Sequence, residues 1–504
     1  MKGINMNKIR IGWSEVSLVP VGRKVNLVGQ FYERITDEVA DPIGVTAMAI
    51  ECGGEEAIFC SCDLVSTSRI LLLAVRERLS RIEGFPVDKV IVSAIHTHTS
   101  LGYARRSDST TMSGSSLDVL KAIMPDVKYE KLVSYEGDDL LQGQEAFDFV
   151  ADRIAKAACE ARANLKDAYY AQGFGRAAVG MCRRVCYDDG SAKMWGDVDM
   201  ANFTELEGGN DSGIELLFTY DDKKELTGVV CNVACPAQVL EHRNFISADY
   251  FGRVKLRLRK KFGDKINLLG IVSPAGDQCP RDLVRWVEPE TPINDPNIVR
   301  NNPTPRHQDP SMFDLSGCER IARRISDEIF YAYEDVTEYV GESELIHKSF
   351  MLDLPLRRVT IEEKDKAVKA IEEFAAALGD KPINFADNAR MHVHAGTVAR
   401  YNAQQKVFNT TIEVHILKLG NIAIATNPYE LFLDYGNQMR ARSKASQTFL
   451  IQLCCGSMGY LPTKKAEAGS HYSAYVSSGT VGHIGGDMLV RKTLQEINEM
   501  FEDK

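Results

Sequence analysis

Apolar residues along this chain follow two rhythms. Short aliphatic and β-branched runs bounded by Gly, Pro, Asn or Asp read as strands. Longer stretches with an apolar residue every third or fourth position read as helices. Residues 46–50 and 57–65 flank Gly53-Gly54 and predict a hairpin, and 213–220 and 226–233 flank Asp221-Asp222 and predict another. Further strands are predicted at 8–20, 90–95, 168–179, 266–273, 343–356 and 448–454, with two more inside 407–425 around Gly420-Asn421. Helices are predicted at 69–82, 145–165, 250–262, 315–333, 360–378, 430–445 and 487–501. Ile70, Leu71, Ala74, Val75 and Leu79 form the apolar face of the first, with Ser66 or Thr67 as its cap. Thr360 and Glu363 set up a capping box. The Lys/Arg run within 250–262 reads as a solvated face.

Strand, helix and strand within 57–95 make a βαβ-type unit. The pattern gives an α/β class: layered mixed β-sheets flanked by helices. One large domain over 1–504 is expected, with a weak candidate boundary at 335–345. The polar stretch 102–142 reads either as a lid over a site or as an ordinary surface insertion. The Pro- and Asn-rich stretch 288–310 should be irregular.

Composition narrows the function. The chain has 504 residues, 44% of them hydrophobic, which suffices for a large core. A net charge of -10 argues against a general partner for nucleic acid or anionic membrane. No signal-peptide pattern and no spanning apolar run is seen, so a cytoplasmic location without stable membrane association is expected. The 12 cysteines include no CxxC pair and should mostly be reduced and buried. The partner expected is a small-molecule substrate, with a homo-oligomer left open.

The chemistry concentrates where strands end. VIVSAIHTHTS, from Val90 to Ser100, delivers His96 and His98 to one face of a strand by alternation. That suits a metal or acid–base platform, although two satisfied histidines would give the same pattern. Asp63 ends the preceding strand, and in α/β sheets sites form at that edge. Four more strand ends carry reactive residues in Gly/Pro turns: Cys235 with Glu241 and His242, Asp277 with Cys279, Glu430, and Tyr460. Arg183 and Arg184 precede a turn of their own.

Ile95-His96-Thr97-His98-Thr99-Ser100, Cys182-Arg183-Arg184-Val185, Cys235-Pro236 followed fourteen residues on by Asp249, Gly276-Asp277-Gln278-Cys279-Pro280, Pro428-Tyr429-Glu430-Leu431 and Tyr460-Leu461-Pro462-Thr463 occur in that order. Together they resemble the signature segments of the catalytic domain of the neutral/alkaline, non-lysosomal ceramidases, as in a divergent bacterial-type relative. The family's C-terminal immunoglobulin-like domain and secretion signal have no counterpart in the match.

The resemblance implies a zinc-dependent hydrolase of a linear amide bond, with one Zn2+ held by His96, Cys235, Glu430 and Tyr460. His98 and Arg183 would line the site. Cys279 would occupy the place of a serine that assists attack, and Asp63 and Asp277 would orient neighbouring groups. Cys235 stands where the family has histidine, so His242 is an alternative ligand, and a metal-free site is a third outcome. An arginine or metal near Cys279 would lower its pKa and favour nucleophilic behaviour. The substrate expected is a small N-acyl compound other than ceramide. Alternatives are a metal-assisted lyase or glycoside-processing enzyme, and a metal-free metabolite-binding relative.

Overall fold

Three sheets form the body of the molecule, and each contains one parallel pair of strands. The computed structural model describes residues 6–103, 115–131, 133–284 and 314–502. The first sheet runs Glu342–Ser343, Asn7–Ser17, Gly44–Cys52, Glu55–Cys62, Val90–Ala94, with the last two parallel. The second runs Asn267–Val272, Leu226–Val233, Gly213–Tyr220, Tyr169–Arg176, with the first two parallel. The third runs Leu345–Pro355, Asn409–Leu419, Ile422–Thr426, Gln447–Ile451, with the last two parallel. The class is α/β, and both expected hairpins are present.

Helix Gly143–Ala163 covers the first sheet with an alanine-rich face, Ala146, Ala151, Ala157, Ala158 and Ala161 all being buried. Small side chains allow close approach: a Cβ on Gly12 would fall 2.1 Å from Ala161 O. One core cluster links residues of all three sheets, and a second fills the space between the third sheet and helices Leu433–Arg442 and His483–Met500.

Several expectations are corrected. The helix after the first hairpin, Arg69–Leu79, is capped by Ser68, whose side chain accepts from Leu71 N, rather than by Ser66 or Thr67. Ile70 is 60% exposed and Leu72 is buried in its stead. The basic helix Asp249–Phe262 is not simply solvated. Its Lys255 and Arg259 pair with Glu15, and its Arg257 with Asp327. The expected helix at 430–445 begins only at Leu433, because Glu430 belongs to a two-residue strand. A helix not expected from the sequence, Phe385–Ala403, starts in a capping box of Asn384 and Asp387 and packs on Ser115–Ile123 and Ile361–Leu378. The expected box of Thr360 and Glu363 is present. The stretch 288–310 lies outside the described residues, as does part of 102–142.

Asp63 follows the strand Glu55–Cys62. Its carboxylate accepts from Gly44 N at 2.8 Å in a pocket lined by Thr46, Ser61 and Lys255. Burial pushes it up to about 7, with Lys255 pulling the other way. The folded chain therefore holds a proton that the unfolded chain has released, and stability falls as pH rises from about 4 to about 7. Replacing Asp63 by Asn removes this contribution. Between about pH 5.5 and about pH 8, denaturant melts of the wild type should lose ~2 kcal/mol more than Asp63→Asn. Equal losses would contradict the account.

Candidate functional site

The candidate site forms where the parallel pairs end. Strand Val90–Ala94 stops one residue earlier than expected, and His96 takes a left-handed backbone with φ +68. The two histidines therefore meet through a looped backbone rather than through strand alternation. The loop is fixed from both sides. His96 N and Thr97 N donate to Leu64 O, and the buried hydroxyls of Thr97 and Thr99 both donate to Ser247 O. Threonines thus anchor one side while the imidazoles share the other, their Nε2 atoms 3.3 Å apart.

Opposite the histidines, Glu430–Leu431 pairs in parallel with Tyr460–Leu461, which sets Glu430 directly beside Tyr460. The approach is close. A Cβ on Gly276 would lie 2.3 Å from Glu430 O, and one on Gly479 would lie 1.9 Å from Tyr460 O. Glu430 Oε2 is 3.7 Å from His96 Nε2. Met181–Cys182 pairs with Gln278–Cys279, which brings Arg183 over the same point. Its guanidinium donates to Gly276 O at 2.9 Å and to the Tyr460 hydroxyl at 3.3 Å. Asp277 supports both elements, since its backbone oxygen accepts from Arg183 N and its carboxylate from Leu433 N.

Burial governs the charges. It works against the Arg183 cation, but Tyr460, Cys279 and Glu430 around it outweigh that and raise its pKa. Burial and then Glu430 push the Tyr460 phenol well above its usual range. Burial, His96 and the cations Arg34 and Arg183 depress His98 well below 6.5, so its ring is neutral. Asp277 is pushed by burial to about 6. Cys279 behaves opposite to expectation: burial outweighs Arg183 and lifts the thiol to about 12. It donates to Arg281 O at 3.3 Å as a protonated group.

His96, His98, Arg183, Glu430 and Tyr460 are brought together. Cys235 is fully buried, donates to Pro236 O at 3.5 Å and is raised well above 9, chiefly by burial. Among the described residues, a single group of three His, Cys, Asp or Glu side chains brings its donor atoms within 4.8 Å of one another. That group is Glu413, His415 and Cys455, not His96, Cys235 and Glu430. His242 lies half exposed beside Glu241 at 3.4 Å, and Asp63 points its carboxylate at Gly44 N.

Glu241, named in the sequence beside His242, stands 3.6 Å from His98 Nδ1. Two contributors were missed. Tyr472 packs edge-on against Tyr460 at 5.7 Å, from a loop with no apolar rhythm. Arg34, 4% exposed, holds the His98 carbonyl at 2.7 Å and three more carbonyls with the rest of its guanidinium.

The donor set fits a metal on one direct observation. His96 Nδ1 lies 2.7 Å from Val65 O, which can only accept, so Nδ1 carries the proton and the Nε2 lone pair faces the space shared by His98 Nε2 at 3.3 Å and Glu430 Oε2 at 3.7 Å. An imidazole fixed by a carbonyl in this way is the usual support of a metal ligand.

The site depends on Gln452, whose Oε1 accepts from both Ala275 N and Leu431 N. Gln452→Leu leaves two buried amides without an acceptor. It should cost roughly 2–4 kcal/mol in denaturant unfolding, and a cost under about 0.5 kcal/mol would contradict that role.

No family model and no curated protein sequence matches the chain. Among solved structures, a neutral ceramidase from Pseudomonas aeruginosa matches with a TM-score of 0.65 over 97% of this chain and 74% of that one, at 15% identity. A structure described as ceramidase complexed with C2 matches with a TM-score of 0.64 over 98% of this chain and 75% of that one, at 14% identity. Three sheets, each ending a parallel pair at one cluster of histidines, glutamate, tyrosine and arginine, thus build in this chain the fold of the neutral ceramidase structures.

Proposed function

We propose that the chain is a zinc-dependent hydrolase of a carbon–nitrogen amide bond in a small N-acyl compound other than ceramide. The observation that carries this reading is the convergence of His96 Nε2, Glu430 Oε2 and the Tyr460 hydroxyl beneath Arg183, on a ceramidase fold. Three nitrogen and oxygen donors are the usual protein share of a catalytic zinc site. His96, Glu430 and Tyr460 would hold the ion, while Cys235 stays a buried thiol outside the ligand set. Bound zinc supplies a Lewis acid that polarises an amide carbonyl and acidifies a water.

The residues of the chain divide the remaining work. His98 accepts the proton of the attacking water and passes it to the leaving nitrogen, with Glu241 beside its Nδ1 to balance the charge. Arg183 is pinned by Gly276 O and holds positive charge where the amide oxygen turns negative. Asp277 positions Arg183 and the start of helix Leu433–Arg442 through the bonds described above. Cys279, protonated, forms a neutral wall rather than a nucleophile. Asp63 steadies the histidine loop through its backbone oxygen, which accepts from Ser100 Oγ at 2.6 Å. His242, half exposed beside Glu241, contacts the substrate at the rim.

Zinc-loaded protein should release amine from short N-acyl amino acids or N-acyl amines faster than from ceramide. His96→Ala and Glu430→Gln should lower kcat/KM by about 10²-fold or more, with unchanged circular dichroism. Cys235→Ser should keep its zinc. Failure to hydrolyse any N-acyl compound, or a zinc ion lost from Cys235→Ser while His96→Ala binds as many as the wild type, would overturn the reading.

A further inference from the structure

A second cluster lies between the first and third sheets and shares no residue with the site above. Glu413 and His415 are two residues apart on strand Asn409–Leu419 and so share a face. Cys455 follows strand Gln447–Ile451 in a left-handed turn with φ +57, and its amide donates to Val92 O at 2.8 Å. One donor atom from each of the three lies within 4.8 Å of the others, and all three side chains are buried. We propose that Glu413, His415 and Cys455 form a structural site for a borderline divalent cation of the Zn2+ class, which fastens strand Asn409–Leu419 to the turn that follows strand Gln447–Ile451.

The hydrogen-bond chain behind His415 orients it for this role. His347 Nδ1 donates to Glu56 O at 3.0 Å, since a carbonyl can only accept. Burial keeps the His347 ring neutral, so its Nε2 accepts from His415 Nδ1 at 2.9 Å. His415 Nε2 carries a proton as well and donates it to Glu413 Oε1 at 2.9 Å, so an ion bound there takes the place of that proton. The bond to His347 fixes the plane of the His415 ring, so its Nε2 stays aimed at Glu413 when the proton leaves. Cys454 Sγ lies 3.8 Å from Cys455 Sγ and donates toward it, supporting a thiolate.

The donor types select the ion. One carboxylate oxygen, one imidazole nitrogen and one thiolate sulfur suit Zn2+ better than the all-oxygen shells of Mg2+ or Ca2+. Two negative charges, Glu413 and Cys455, meet a doubly charged cation. Arg76 donates to both Glu413 oxygens, at 2.6 Å to the same Oε1 that faces His415, Arg69 donates to Oε2 at 3.2 Å, and Arg76 also reaches Val90 O. These cations hold the carboxylate in place and temper the affinity. His415 Nε2 and Glu413 Oε1 must separate by a few tenths of an ångström to admit the ion, because ligand atoms on tetrahedral zinc stand more than about 3 Å apart.

The inference is independent of the hydrolase reading, because no residue is shared. The test loads metal-free, full-length protein with Co2+ alone. The wild type should bind two ions per chain and show a thiolate-to-cobalt charge-transfer band in the near ultraviolet. Cys455→Ser should bind one and lose the band. His96→Ala should bind one and keep it, and Cys454→Ser and Cys235→Ser should both retain it. A wild type without the band, or a band that survives Cys455→Ser, overturns the proposal. Should Cys455→Ser fail to fold, X-ray absorption on cobalt-loaded His96→Ala leaves the cluster intact: one sulfur in the metal's shell is expected, and an all-oxygen and nitrogen shell, or no bound cobalt, overturns it.

Discussion

Main-chain hydrogen bonds between the ends of three parallel strand pairs hold this architecture in register. Ile95 N donates to Cys62 O within the first sheet, and Ser273 N to Val233 O within the second. Ala94 N reaches Leu453 O, Ala237 N reaches Ile95 O and Gln452 N reaches Val272 O, so each sheet is tied to another. Asn232 adds a side-chain imitation of a strand partner, since its amide exchanges two bonds with Leu450. Parallel strands leave carbonyls at their C-terminal ends that need acceptor-satisfying partners, and buried unpaired groups are costly. Here the ends satisfy one another, and the loops that follow are forced toward a common point.

That arrangement explains why chemistry from distant parts of the chain converges. His96 and His98 follow the first pair, Asp277 the second, and Glu430 and Tyr460 the third. The clearances are small enough that only glycine fits at 276 and 479, against the backbones of Glu430 and Tyr460. The same compactness sets the protonation of the centre. Burial keeps the Cys235 and Cys279 thiols protonated and His98 neutral, while Arg183 remains a cation because Tyr460 and Glu430 surround it. Two cysteines that looked reactive in the sequence are fully buried, and burial raises both thiols.

Much of this was legible in the sequence because local patterns were strong. The hairpin strands 213–220 and 226–233 match the observed strands, and the box of Thr360 and Glu363 opens the helix it announced. The strand ends could be located, and collinear motifs joined them. What was not legible depends on contacts distant in sequence. His96 leaves strand geometry because Leu64 and Ser247 capture its neighbours. Glu430 leaves helix geometry because Tyr460 pairs with it. Helix Phe385–Ala403 carries Asn388, His392, His394 and Gly396 along its length, so its apolar face is faint until it meets helix Ser115–Ile123. Cys279 was expected to respond to Arg183, but only its complete burial decides the sign.

The central claim is that the joined strand ends build a metal centre from His96, Glu430 and Tyr460. Anomalous diffraction at the zinc edge, on crystals of protein purified without a histidine tag and supplied with zinc, tests it most directly. The account predicts an anomalous peak bounded by His96 Nε2, the Glu430 carboxylate and the Tyr460 hydroxyl, with Cys235 Sγ outside its coordination shell. A well-ordered site with no peak at that position would contradict it.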